Sequence, residues 1–187
     1  MSKALIIVDV QNDFCPGGSL GTELGDDVAR GINELVNSEH DYDVIIATQD
    51  WHIDPGTHFS DQPNYVDTWP VHCTADSEGA RMHPDLDLST IREYFRKGEY
   101  TAAYSGFEGH AASDGSTLMA QWLRDNSVTD VDIVGIATDH CVLATSKDAR
   151  AEGFTVSVIA DLCSPVDKTR GENALIELEQ AGANIIR

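Results

Sequence analysis

The feature that most constrains this chain is an alternation of short, apolar, β-branched runs with segments whose apolar residues recur at a helical period. Residues 4–10, 44–48, 91–97, 131–137, 155–160 and 184–186 read as strands. Between the first two, Val28, Ile32, Leu35 and Val36 stand at i, i+4, i+7 and i+8 and form one apolar helical face. Ser116 or Thr117 is placed to cap a helix carrying Leu118, Met119, Trp122 and Leu123. Further helices are expected from near Cys141 and over 168–181. Strands and helices in alternation predict an α/β fold: a three-layer α/β/α sandwich around a central, mainly parallel, six-stranded sheet. The 187 residues suit one domain spanning 1–187, large enough to bury a core without disulfide or metal staples.

Residues 50–88 break the alternation, punctuated by Pro55, Pro63, Pro70 and Pro84 with little periodicity. Aperiodic stretches of that length inside a compact domain are usually functional. The 32 acidic and 12 basic residues give a formal charge of -20, which repels phosphate backbones and anionic lipid, so neither nucleic acid nor membrane is an expected partner. A neutral or cationic small molecule fits better. The first apolar run is too short for a membrane span or a secretory signal and is broken by Asp9, so a cytoplasmic location is expected. Cys15, Cys73, Cys141 and Cys163 show neither C-x-x-C pairing nor dense spacing, and reduced thiols are expected. Cys15, Cys73 and Cys163 read as structural. Composition leaves a monomer and a small homo-oligomer equally open.

Ligands of open α/β sheets bind beyond the carboxyl ends of the strands. Asp9 ends the first run, Asp50 follows the second, Lys97 ends the third and Cys141 follows the fourth, which puts four chemically capable groups on one edge. Taken singly each has an ordinary role: Asp9 as a turn residue, Lys97 as a solvated charge, Cys141 as a small buried hydrophobe. Taken together they form a nucleophile with its base and orienter. A lysine beside Asp9 keeps that carboxylate ionised and aimed, and the carboxylate accepts the thiol proton of Cys141. Cys141 also sits at a seam between strand and helix, where unpaired amides and the positive dipole end are expected to lower its pKa.

In "DWHIDPGTHF" (50–59), Asp50 and His52 are two apart, so an extended backbone points both to one side. His58 and, from "WPVHC" (69–73), His72 can join them. One carboxylate with two or three imidazoles suits a divalent zinc, iron or manganese ion, and positions left to water or substrate mark a catalytic site. His40, His83 and His110 read as surface residues.

With these residues in this order, the chain resembles the nicotinamidase/pyrazinamidase branch of the isochorismatase-like cysteine hydrolases. The likeness runs through "ALIIVDVQNDFCPGGSL", "ATQDWHIDPGTHF", "WPVHC", "KGEYTAAYSGFEG" and "VGIATDHCV". It implies a Rossmann-like strand order, with Asp9, Lys97 and Cys141 as catalytic triad and Asp50, His52, His58 and His72 as metal ligands. It further implies a pocket for a flat heteroaromatic ring lined by Phe14, Trp69 and Tyr104, with Ile136 and His140 beside them. A cis peptide between Ile136 and Ala137 is implied as well, turning the amides of Ala137 and Cys141 toward one oxygen as an oxyanion hole. The implied reaction is hydrolysis of nicotinamide to nicotinate and ammonia through a cysteine thioester, with pyrazinamide as a second substrate and a place in NAD salvage. The nearest rival is a cysteine amidohydrolase of a carbamoyl or ureido compound. Isochorismatase activity is disfavoured because it does not need the cysteine. A dinucleotide-binding module fails because "DVQNDFCPGGSL" follows the first strand where G-x-G-x-x-G belongs. A non-catalytic metal-binding module leaves Asp9, Lys97 and Cys141 without a role. The polar loop 109–115 has no assigned part.

Overall fold

The computed structural model describes residues 2–187. Strand β1 (Ser2–Val8) is followed by helix α1 (Gly25–Asn37) and strands β2 (Val44–Asp50), β3 (Glu93–Lys97) and β4 (His110–Ala111). Helix α2 (Met119–Asp125), β5 (Val128–Ile136), α3 (Leu143–Ala151), β6 (Thr155–Ser164), α4 (Lys168–Gln180) and β7 (Asn184–Ile186) complete the chain. The sheet runs β4-β3-β2-β1-β5-β6-β7. It is parallel except for the β3–β4 pair. Without β4 this is the doubly wound order 3-2-1-4-5-6. The seventh strand is the two-residue β4, too short to leave a periodic signal. It accounts for part of loop 109–115.

Alternation along β1 sorts the core into two layers. Leu5 and Ile7 pack with Val28, Ile32 and Val36 of α1 on one face. Ile6 and Val8 share the other with Met119 and Leu123 of α2, Ala149 of α3 and Leu178 of α4. The connections therefore change sides between β1 and β5, so the switch point lies where the chain leaves these two strands. There Gly135 has φ +121, and a Cβ on it would stand 2.1 Å from the Val8 carbonyl oxygen, so only glycine allows the two strands this approach.

Several boundaries differ from the sequence pattern for local reasons. β1 stops at Val8 instead of Val10 because Asp9 takes a left-handed φ of +48, which ends the extended run. Neither Ser116 nor Thr117 caps α2, whose N-cap is Leu118. Asp114 Oδ1 accepts from both of their amides, at 2.8 and 2.9 Å, and ties them into a preceding turn. Around Cys141 the chain first makes one π-helical turn (Thr138–Val142), and α3 starts only at Leu143. His83 is buried rather than a surface residue, with Nε2 donating to Asp26 Oδ1 at 3.1 Å. All four cysteines are free and buried. Among the described residues, no helix is long and apolar enough to cross a membrane.

Candidate active site

Asp50 and Lys97 are direct register partners on β2 and β3, so their side chains leave the sheet together at its carboxyl edge. The Lys97 ammonium, fully buried, gathers the groups around it. Nζ donates to Asp9 Oδ2 at 2.8 Å, to Asp50 Oδ1, and to the Ala103 carbonyl at 3.4 Å, and it lies 3.7 Å from Cys141 Sγ. The Asp9 carboxylate and the Cys141 thiol are both neighbours of one nitrogen. Residues at positions 9, 97 and 141 thus meet at one point. Two anchors invisible in the sequence hold them there. Thr48 donates through Oγ1 to Asp9 Oδ1 at 2.6 Å, and Gln11 clamps the end of β2 by accepting from the Asp50 amide and donating to the Asp50 carbonyl, both at 2.9 Å.

Burial and charge divide the protons among these groups. Burial pushes the Asp9 carboxyl above its ordinary range, against the pull of Lys97. Burial acts on Asp50 in the same sense, but the Lys97 ammonium outweighs it and holds that carboxyl well below the usual range. For Lys97, desolvation favours the neutral amine, yet Asp50 and Asp9 keep its ammonium form well beyond the ordinary lysine range. The Cys141 thiol is pushed well up, first by burial and then by Asp9 and Asp50, with Lys97 opposing. This reverses the expectation of a thiol acidified by a helix terminus. Two carboxylates in a dry site outweigh the partial charge of one helical turn, so the sulfur holds its proton until a base removes it.

Beside this centre, His52 Nδ1 donates to the Gly98 carbonyl at 2.6 Å and His72 Nδ1 to the Pro70 carbonyl at 2.8 Å. Carbonyls only accept, so both rings carry their proton on Nδ1 and turn bare Nε2 lone pairs inward. Those two nitrogens face each other at 3.2 Å, with Asp50 Oδ2 3.4 and 3.5 Å away. His58 completes the group: all three imidazoles offer ligand atoms within 4.8 Å of one another. Burial, aided by the neighbouring histidines, lowers His58 to about 4, so it stays neutral at pH 7, and its buried Nδ1 has no hydrogen-bond partner among the described residues. Three lone pairs converging beside a carboxylate repel one another unless a cation sits between them. The donor set therefore fits the divalent ion expected of Asp50, His52, His58 and His72. Asp50 has a second connection that spacing did not reveal, because its other oxygen is bound to Lys97 and links the histidine cluster to the triad.

A cavity of about 600 Å³ opens onto both groups. Phe14, Trp69, Tyr104 and His140 line it, as do Asp50, His58, His72, Ala137 and Cys141. Trp69 Nε1 donates to the Tyr104 hydroxyl at 3.0 Å, which fixes one aromatic wall. The His140 ring stacks on Tyr104 and meets Trp69 edge-on. Ile136 is not on the wall: it is 1% exposed and packs in the core beside α1. Its place is behind the wall, where the Ile136–Ala137 peptide is cis. Ala137 and Cys141 bring the π turn to the cavity, a turn in which the amides of His140 and Val142 both donate to the Ala137 carbonyl at 3.0 Å. No residue of 109–115 reaches this cavity. Sequence reasoning missed Tyr65, exposed at the mouth and edge-on to Trp69, and the loop 18–23 along one side.

The family model of the isochorismatase domain matches residues 3–187. Among curated proteins, the chain is similar to a nicotinamidase/pyrazinamidase of Mycobacterium tuberculosis, 47% identical over 184 residues and 98% of both chains. Among solved structures, it is similar to PnC1 from L. infantum in complex with nicotinate, with a TM-score of 0.87 and 34% identity over 100% of this chain and 92% of that one. It is also similar to a pyrazinamidase of Pyrococcus horikoshii in complex with zinc, with a TM-score of 0.84 and 34% identity over 100% of this chain and 99% of that one.

Proposed function

From the premise that the chain belongs to the isochorismatase domain family, we propose that it is a nicotinamidase, hydrolysing nicotinamide to nicotinate and ammonia and accepting pyrazinamide, and that it works in NAD salvage. The observation that carries the reading is the single buried ammonium of Lys97 touching Asp9, Asp50 and the sulfur of Cys141 at the floor of an aromatic cavity.

In this reading Asp9 accepts the thiol proton as Cys141 Sγ attacks the carboxamide carbon. The developing oxyanion is held by the amides of Ala137 and Cys141. Collapse of the tetrahedral adduct expels nitrogen, which takes the proton from Asp9 and leaves as ammonia. Water then attacks the thioester and gives a proton to Asp9, the acid departs, and the proton returns to sulfur. Lys97 keeps Asp9 ionised in spite of its burial and aims it at the sulfur. Phe14, Trp69, Tyr104 and His140 sandwich the flat ring and exclude water. Asp50, His52, His58 and His72 would hold one divalent ion, zinc, iron or manganese, which when bound supplies a fixed positive centre for a ring nitrogen. The donor set of three imidazoles and a carboxylate supports that assignment.

Ammonia release from nicotinamide, pyrazinamide and a ureido acid, measured on purified protein with its metal quantified, tests the substrate class. Turnover of the two ring amides well above the ureido acid is expected. The reverse order overturns the reading in favour of a carbamoyl hydrolase.

A further inference from the structure

A second group of metal-ligating side chains lies outside the active site. Cys15 of the loop after β1, Asp26 in the first turn of α1 and His83 of the segment before β3 offer ligand atoms within 4.8 Å of one another. Cys15 is 2% exposed, and its Sγ makes no hydrogen bond among the described residues. The two other thiols outside the proposed reaction differ, since Cys73 and Cys163 each donate to a carbonyl. The Asp26 side chain is 41% exposed, so the cluster meets solvent on that side and a water can complete the set.

The donor types say which ion fits. A thiolate, an imidazole and a carboxylate suit zinc, whereas magnesium and calcium take oxygen ligands. His83 Nε2 and Asp26 Oδ1 stand 3.1 Å apart, near the separation of about 3.3 Å between two such ligands on a tetrahedral zinc. Without an ion a proton joins them: His83 Nδ1 accepts from the Asp85 amide at 3.2 Å, so Nε2 carries the ring proton and donates to Asp26. Zinc takes the place of that proton, which moves to Nδ1. There the Asp85 carboxylate, 4.0 Å away, is the acceptor that a zinc-bound imidazole needs behind it. Burial, and after it Asp26, push the Cys15 thiol up to about 12, a cost that the two charges of the ion offset as the thiolate forms. One proton, from the thiol, leaves for each ion bound.

We infer that Cys15, Asp26 and His83 form a second metal site, for zinc, separate from Asp50, His52, His58 and His72. Cys15 directly follows Phe14, and Gly18 and Thr22 of the same loop also line the substrate cavity. An ion held by Cys15 therefore ties one wall of that cavity to α1 and to the segment bearing His83. The inference does not depend on which reaction the cavity carries out.

Cobalt is the probe that separates the two sites. A cysteine ligand gives it an intense sulfur-to-metal charge-transfer band, and the set at 50, 52, 58 and 72 contains no sulfur. The Cys141→Ala protein serves as the parent, so that the sulfur beside that set is gone. Reconstituted with cobalt under reducing conditions, it should hold two ions per chain by elemental analysis and show the band. Adding Cys15→Ser should abolish the band and lower the count to one, and the ion retained shows that the chain is folded. Adding Asp26→Asn instead, at a half-exposed position, should keep the first ion and weaken the second at least about tenfold in a chelator competition. A count of one, or no band, before Cys15 is altered overturns the site, and so does a band or a second ion that survives Cys15→Ser. Undiminished affinity for both ions in the Asp26→Asn protein overturns it as well.

Discussion

Replacing Lys97 with methionine, which fills similar space without the charge, should cost both activity and stability, and the stability loss should grow as pH rises. In the native site the ammonium, 0% exposed, is the only cation among the described residues that touches the Asp9 carboxylate, which is equally buried. Without it Asp9 is left charged in a dry site or takes up a proton. Truncating one partner of a buried ion pair typically costs about 3–5 kcal/mol. Protonation sets a ceiling: neutralising a carboxyl of ordinary pKa about 3.9 costs about 1.4 kcal/mol per pH unit, hence roughly 4 kcal/mol at pH 7 and about 2 at pH 5.5. The sign follows from proton binding. In the variant the folded state binds the Asp9 proton more tightly than the unfolded state, so stability falls with increasing pH across the window above the unfolded value. For a chain of this length about 2–4 °C in Tm corresponds to each kcal/mol. Calorimetry of metal-loaded wild type and Lys97→Met at pH 5.5, 7 and 8 should therefore show a deficit of roughly 8–16 °C at pH 7 that shrinks at pH 5.5. Adding Asp9→Asn should recover much of the stability and none of the activity. A Lys97→Met protein with wild-type Tm at pH 8, or a double variant no more stable than the single one, would refute the buried-pair reasoning.

Further outcomes follow from the same geometry. Cys141→Ala should abolish ammonia release while retaining stoichiometric metal by elemental analysis; residual turnover above about a thousandth of wild type would remove the sulfur from the mechanism. Gly98 has φ +77, and a Cβ there would stand 2.7 Å from His52 Cε1, so Gly98→Ala should displace that ring and weaken metal affinity about 10- to 100-fold in a chelator competition. Wild-type affinity in that variant would place His52 outside the ligand set. Because burial raises the Asp9 carboxyl, the acid limb of kcat/KM should lie above the ordinary aspartate value of about 3.9, with activity lost as pH falls through it. A limb at or below 3.9 would exclude Asp9 as the base.

The fold and the convergence of Asp9, Lys97 and Cys141 were legible in the sequence for one shared reason. Alternating strand and helix patterns locate the carboxyl ends of parallel strands, and Asp9, Asp50, Lys97 and Cys141 all stand at such ends. The D-x-H spacing and the later histidines similarly marked a cluster the fold closes. Burial and cross-strand partners were not legible. The direction of the Cys141 shift depends on how dry the site is, and Thr48 and Gln11 act through register with β1 and β2. Ile136 was misplaced because motif proximity does not say which side of a strand faces the cavity. β4 and the π turn are too short to show a period.

The central claim is that acyl transfer passes through the sulfur of Cys141. Acid-quenching the metal-loaded enzyme during nicotinamide turnover and mapping its peptides by mass spectrometry reads this directly. A pyridine-3-carbonyl adduct confined to the peptide bearing Cys141 and released by hydroxylamine is expected. Turnover under the same quench with every cysteine unmodified, or with the adduct on Cys15, Cys73 or Cys163, would contradict it.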